Sequence, residues 1–260
     1  MTIPVDWAIP QFVGFILVVA RLSGLFLLAP VFSSQMIPVR VKIMALLALA
    51  VTMMPVMDIN VANMPTDGVG LTVMVLKESL IGLALGFAVA IVFAAVQVGA
   101  MLIDTSIGFA LANIIDPLNN TQATIFGSFY TMVATLAFLA IDGHHWMLMG
   151  FVRSFDAVPI DQMPNFGVML SNAHYIFGQI FVMAFQIAAP VLVTLLLADV
   201  VLGIVARVVP QMNVFFVGIP LKIGLGMIAV IVSMPSFVSF FESRLSDIVT
   251  GASVLANAAP

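Results

Sequence analysis

The chain has 260 residues, no cysteine and 63% apolar residues, and only 8% of it is charged. Ordinary globular domains are about 25% charged, so 8 basic and 12 acidic side chains cannot coat a soluble chain of this length. A free-standing soluble enzyme and a disordered chain are excluded, and a net charge of −4 without a basic cluster gives no nucleic-acid surface. What remains is an integral membrane protein, or a subunit buried among other apolar chains.

A spanning helix needs roughly 20 mostly apolar residues, so about six such helices would consume most of the chain. The fold class expected is all-α, with no room for a nucleotide-binding domain and no P-loop glycine pattern. The absence of cysteine removes disulfides and thiolate metal sites but fixes no compartment. The start of the chain carries Asp6 rather than a basic stretch and does not read as a cleavable signal.

In chain order, the first apolar run covers about Ala8 to Pro30 and is interrupted by Arg21. After Pro38, Arg40 and Lys42 a second run, Ile43 to Met57, is short for a span and reads as bent or partly re-entrant. Asp58 to Gly70 reads as a loop. The third run follows Lys77-Glu78 and stays uncharged from Ser79 to Ile103. A mixed segment from Asp104 to Gln122 precedes the fourth run, which reaches Ile141. Asp142 to Asn165 holds much of the remaining polarity.

From Gln162 to Ala198 there is no charged residue. As one helix this run would be about 55 Å long, well beyond the roughly 30 Å of a hydrocarbon core. Either Pro190 bends it or part of it lies outside lipid. A turn at Pro210 to Asn213 and a last run from Ile223 to Phe241 complete a C-terminal hairpin, its tip between Arg207 and Lys222. With six spans, Arg40 and Lys42 fall on the same side as Arg207 and Lys222. The positive-inside rule makes that side cytoplasmic and places the N-terminus outside.

Few residues are available for chemistry. Asp142-Gly143-His144-His145 is the densest polar cluster, but adjacent histidines on a helix point about 100° apart and no further ligand has metal spacing. An interfacial turn anchored by Trp146 is the alternative. No Gly-x-Ser-x-Gly elbow is present, so neither a catalytic residue, a cofactor nor a metal is expected. Arg21, Asp104, Asp199 and Arg207 lie in or beside apolar runs. Such charges are candidates for a solute pathway, as in a self-sufficient multi-pass transporter or channel, unless they pair across helices or face other subunits.

Gly82 and Gly86 form a GxxxG, continued by Ala90 and Ala94, so one stripe of that helix admits a second backbone closely. Eighteen methionines add adaptable side chains. The segment Ser106 to Pro117 is too apolar for a solvated loop, yet it is fenced by Gly108 and Asp116-Pro117. Irregular backbone at membrane depth is tolerated only inside protein or along a cavity, as at a hydrophobic pore constriction. A helix end continuing into the next span is the alternative.

Ala20-Arg21-Leu22-Ser23-Gly24, Ala29-Pro30-Val31-Phe32 and Ile37-Pro38-Val39-Arg40 together resemble the N-terminal signature of the FliR family. The resemblance continues through Lys77 to Phe87, Asp116-Pro117 and Asp142-Gly143-His144-His145. It ends with Arg207 to Phe215 and Gly218 to Lys222. In this order the motifs span nearly the whole chain.

The resemblance implies a non-enzymatic subunit of the flagellar type III protein export gate, in the bacterial inner membrane at the flagellar basal body. Its implied partners are FliP-like and FliQ-like gate subunits, FlhB-like and FlhA-like export proteins, membrane lipid, and unfolded proteins in transit. It also implies a FliP-like part over about 1–175 and a FliQ-like hairpin over about 176–260. The family's pore plug falls on Phe109, Leu111, Ile114 and Ile115 before Asp116 and Pro117, with Leu111 and Ile114 where some relatives place phenylalanines. Subunit packing is expected at Gly82, Gly86 and Arg21. Partner contact is expected at Arg207, Gln211, Asn213, Phe215, Pro220 and Lys222.

Overall fold

A computed structural model describes residues 5–34, 37–56, 67–109 and 125–256, and every regular element among them is helical. Helix α1 is Val5–Leu28, and a single turn, α2, is Pro30–Ser33. Helix α3, Val39–Met53, runs into a 3₁₀ turn at Met54–Val56. Then come α4 (Gly68–Ile107), α5 (Ile125–Ala140), α6 (Gly143–Ala157), α7 (Phe166–Val208) and α8 (Val214–Ala256).

Among the described residues, four helices are long and apolar enough to cross a membrane: α1, α4, α7 and α8. The number is five if α5 and α6 form one broken span, against the six expected. The all-α membrane class holds. The difference lies in α3 and α5, which at 15 and 16 residues are each too short to count as a span alone, whereas the other apolar helices are long. At 40 residues α4 is about 60 Å long, and α7 and α8, at 43 residues each, are about 65 Å.

Three boundaries differ from the sequence reading. Helix α4 begins at Gly68, so Lys77 and Glu78 lie inside it rather than before it. Helix α7 runs unbroken through Pro190, and α8 through Pro220 and Pro235. Membrane helices tolerate an internal proline because neighbouring helices, hydroxyl side chains and small local adjustments satisfy the backbone groups it frees. The polar stretch after Asp142 forms α6, and only the part between Ala157 and Phe166 is irregular. Asp142 stands just before α6 with φ of 55°, a left-handed conformation that short polar side chains tolerate.

The contacts fall into two compact units. The first comprises Met1–Ile91, Asp142–Phe177 and Leu245–Pro260. Here α1 packs on α4 with almost no separation. A Cβ on Gly82 would lie 1.8 Å from the Arg21 carbonyl oxygen, and one on Gly24 2.5 Å from that of Ser79. Leu17, Leu22, Leu25, Ile81 and Leu85 close the interior around this crossing.

The second unit comprises Val92–Ile141 and Gly178–Arg244. Its core is an aromatic chain. Phe93 meets Phe138 and Phe241 edge-on at 6.0 and 5.4 Å, and Tyr130 meets Phe237 at 4.9 Å. Such pairs add to simple area burial when the rings are T-shaped. Gly99 lets α4 approach the Ala184 carbonyl of α7, where a Cβ would come within 2.9 Å.

Candidate functional site

An arginine inside an apolar helix must find a carboxylate, because an isolated buried charge is prohibitively costly. Arg21 is fully buried, and its Nε donates to Glu78 Oε2 at 2.5 Å. Its other nitrogens donate to Ser154 Oγ at 3.0 Å and to the Val158 carbonyl at 2.9 Å. The guanidinium also lies 3.8 Å from the centre of the Phe155 ring, a cation–π contact.

Lys77 approaches the other oxygen of Glu78 at 3.1 Å. Its Nζ also donates to the carbonyls of Ile160 and Gln162, the latter at 3.0 Å. One carboxylate therefore serves two buried cations, which between them hold three carbonyls of the irregular segment before α7. Both cations keep hydrogen bonds in place of water, whereas Glu78 Oε1 is buried with no hydrogen bond and has only the charge of Lys77 beside it. The same unit holds an open apolar groove of about 520 Å³ lined by Leu28, Leu80, Phe87, Phe166 and Leu170 among others.

The second unit contains the flanks of the apolar segment singled out in the sequence. Helix α4 stops at Gly108, whose φ of 107° suits glycine. The N–H groups of Gly108 and Phe109 both donate to the Asp104 carbonyl, at 3.2 and 3.0 Å. The Asp104 carboxylate, 2% exposed, accepts the backbone N–H of Phe126 at 3.2 Å and of Gly127 at 3.4 Å. A carboxylate there meets the unpaired donors and positive dipole end of α5. The ring of Phe109 lies 6.1 Å from that of Phe126. Leu111, Ile114, Ile115, Asp116 and Pro117 lie outside the described residues.

At the hairpin the turn is confined to residues 209–213, with Met212 N–H donating to the Val209 carbonyl at 3.1 Å. Arg207 ends α7, and Gln211 and Asn213 are exposed in the turn. Phe215, Pro220 and Lys222 belong to α8, so Pro220 and Lys222 are not at the tip. Lys222 Nζ instead sits 2.9 and 3.0 Å from the two Asp199 oxygens. His144 is 3.9 Å from Asp142, both in contact with solvent, and among the described residues no three acidic or histidine side chains are placed to hold a metal.

The sequence profile of a family described as Bacterial export proteins, family 1, matches residues 12–248, a span containing every one of these groups. The chain belongs to that export family. The resemblance to FliR is borne out by individual relatives. It is 40% identical over 232 residues to the flagellar biosynthetic protein FliR of Bacillus subtilis (strain 168), covering 87% of this chain and 88% of that one. The FliR of Pectobacterium carotovorum subsp. carotovorum is 29% identical over 244 residues, 94% and 91% of the two chains. That of Escherichia coli (strain K12) is 29% identical over 231 residues, 88% and 87%.

In this export-family chain, sequence reasoning found Arg21 but missed its partners. Lys77 and Glu78 read as the edge of a span. The available signal was a pair of opposite charges inside an otherwise uncharged run, with one arginine alone in the first run. Gly82 and Gly86 do admit a close backbone, and within the described residues it is that of α1 in the same chain.

Proposed function

We propose that the chain is a non-enzymatic subunit of the flagellar type III protein export gate, forming with FliP-like and FliQ-like subunits the pore for unfolded flagellar proteins. The observation that carries this reading is membership of the export family over residues 12–248, with curated FliR proteins matching along most of the chain. The FliP-like part covers about 1–175 and the FliQ-like hairpin about 176–260. FlhB-like and FlhA-like export proteins are its further neighbours, in the inner membrane at the flagellar basal body.

Two structural features support a subunit over a self-sufficient transporter. Of the charges singled out in or beside the apolar runs, Arg21, Asp104 and Asp199 have partners in this chain, and Arg207 lies in the last turn of α7. Large apolar side chains are exposed along α7 and α8, including Phe181, Phe185, Leu196, Ile204, Phe216 and Val232, and they call for neighbouring chains or lipid. With α1, α4, α7 and α8 as the spans, Arg40 and the 209–213 turn share one side. The positive-inside rule makes that side cytoplasmic and the N-terminus periplasmic.

In this mechanism the segment with Phe109, Leu111, Ile114, Ile115, Asp116 and Pro117 is an apolar plug. It excludes water and ions at rest, and a passing chain displaces it. The arrangement around Asp104 supports this by fastening both flanks of the segment. The test has two parts. Native mass spectrometry of the chain extracted after co-expression with its partner subunits is expected to find it inside a mixed complex. Leu111→Gly with Ile114→Gly is expected to make cells leaky to small solutes. A lone monomer or homodimer beside well-expressed partners returns the transporter reading, and unchanged permeability of an assembled gate overturns the plug.

A further inference from the structure

Helix α3 is anomalous among the apolar helices of this chain. It is 15 residues long, about 22 Å, and too short to cross a hydrocarbon core of roughly 30 Å. Only Ala50 of its side chains is buried. At 100° per residue, Lys42, Leu46, Leu49 and Met53 form its half-buried side, while Arg40, Met44, Leu47 and Val51 form a stripe on the opposite side, with Ile43 at its edge. That stripe is open: Met44 is 71% exposed, Leu47 40% and Val51 60%.

Arg40 stands at one end of the stripe and is exposed, and among the described residues it meets no acidic side chain. No acidic residue occurs in α3 at all. From Arg40 to Val51 the rise is about 16 Å, close to half of a bilayer core of about 30 Å. A cation followed by one leaflet's depth of apolar surface has the charge and length of a single phospholipid, phosphate at the top and acyl chain below.

We propose that α3 seats an anionic phospholipid in one leaflet, its phosphate on Arg40 and an acyl chain along Ile43, Met44, Leu47 and Val51. Lys42 lies on the other, half-buried side of α3 and takes no part in this contact. A second protein chain would satisfy the apolar stripe equally, but it would have to bring an acidic group to Arg40. The headgroup layer supplies that charge at the required depth, and basic side chains near an anionic membrane surface gain from it. The inference requires only that the chain sits in a membrane and is independent of any export role.

The test uses the full chain in detergent, titrated with phosphatidylglycerol or phosphatidylcholine and weighed by native mass spectrometry. The chain is expected to retain phosphatidylglycerol about fivefold better, roughly what one surface cation supplies. Arg40→Gln is expected to abolish that preference without changing phosphatidylcholine retention, and Arg40→Lys to keep it. No preference in the unmodified chain, or a preference that survives Arg40→Gln, overturns the proposal. A photo-reactive residue at Leu47, activated in cells, is expected to yield a lipid adduct. A protein adduct as the main product overturns it as well. Failure to export, with lipid retention intact, leaves this site standing and counts only against the gate reading.

Discussion

The Asp104 carboxylate accepts the backbone N–H of Phe126, 22 residues further along, at 3.2 Å. Asp104 thereby joins the end of α4 to the start of α5, the two flanks of the candidate plug. Hydrogen bonds to a charged group contribute about 1.5–3 kcal/mol each when buried. Asp104→Ala is therefore expected to speed amide exchange at Phe126 and Gly127 by tenfold or more. Asp104→Asn, which keeps a carbonyl acceptor but loses the charge, is expected to lie between. Equal exchange in all three proteins would show that the flanks are held by packing alone, chiefly Phe109 on Phe126.

Glu78 is the one anion between two buried cations, so its neutralisation leaves both unbalanced. Breaking a buried pair by removing one partner costs about 3–5 kcal/mol. Glu78→Gln is expected to destabilise the detergent-extracted chain by about that amount, read as a lower thermal aggregation midpoint. Limited proteolysis gives a second reading. Cleavage is expected to rise first between Val158 and Gln162, whose carbonyls Arg21 and Lys77 hold. Loss of stability without new cleavage there would mean that the segment is fixed by its apolar contacts, such as Ile160 against Leu17 and Met74.

The helical class and the hairpin were legible because long uncharged runs leave a chain no other way to satisfy its backbone in lipid. Helix ends were not. Lys77 and Glu78 look like the polar edge of a span, because a sequence reading counts charges singly while the fold cancels them in pairs. Pro190 looks like a bend by the rule that holds in water, yet α7 runs through it, as α8 does through Pro220 and Pro235. The pairing of Asp199 with Lys222 depends on the register of two antiparallel helices, which no local pattern specifies. For the proposed plug, sequence alone singled out the segment, and the folded chain adds the contacts of Asp104 beside it.

Gly82 and Gly203 offer a controlled contrast in one background. A Cβ at Gly82 would overlap the Arg21 carbonyl at 1.8 Å, whereas one at Gly203 meets nothing within 4 Å in this chain. Gly82→Ala is expected to push α1 from α4 and to destabilise the chain by about 1–3 kcal/mol, the usual cost of overpacking. Gly203→Ala, at an exposed helical position, is expected to leave the isolated chain unchanged or more stable by up to about 1 kcal/mol. If Gly203→Ala nevertheless blocks co-purification with gate partners, a neighbouring subunit packs on α7 at that point. If it blocks nothing, that face meets lipid.

The Asp199–Lys222 pair tests whether the hairpin register matters beyond the chain itself. Asp199 is 57% exposed and Lys222 20%, and pairs in contact with solvent contribute only about 0–1 kcal/mol. Lys222→Ala is accordingly expected to change stability by less than about 1 kcal/mol. Lys222→Glu places two carboxylates face to face and is expected to cost more than the alanine. Asp199→Lys combined with Lys222→Glu restores the attraction with reversed polarity and is expected to recover the thermal midpoint of the unmodified chain. Swimming motility of a strain carrying only the reversed pair is then the deciding measurement. Recovery of motility together with stability confines the pair to fixing α7 against α8. Stability without motility means that the direction of the pair is read by a neighbouring chain in the assembled gate.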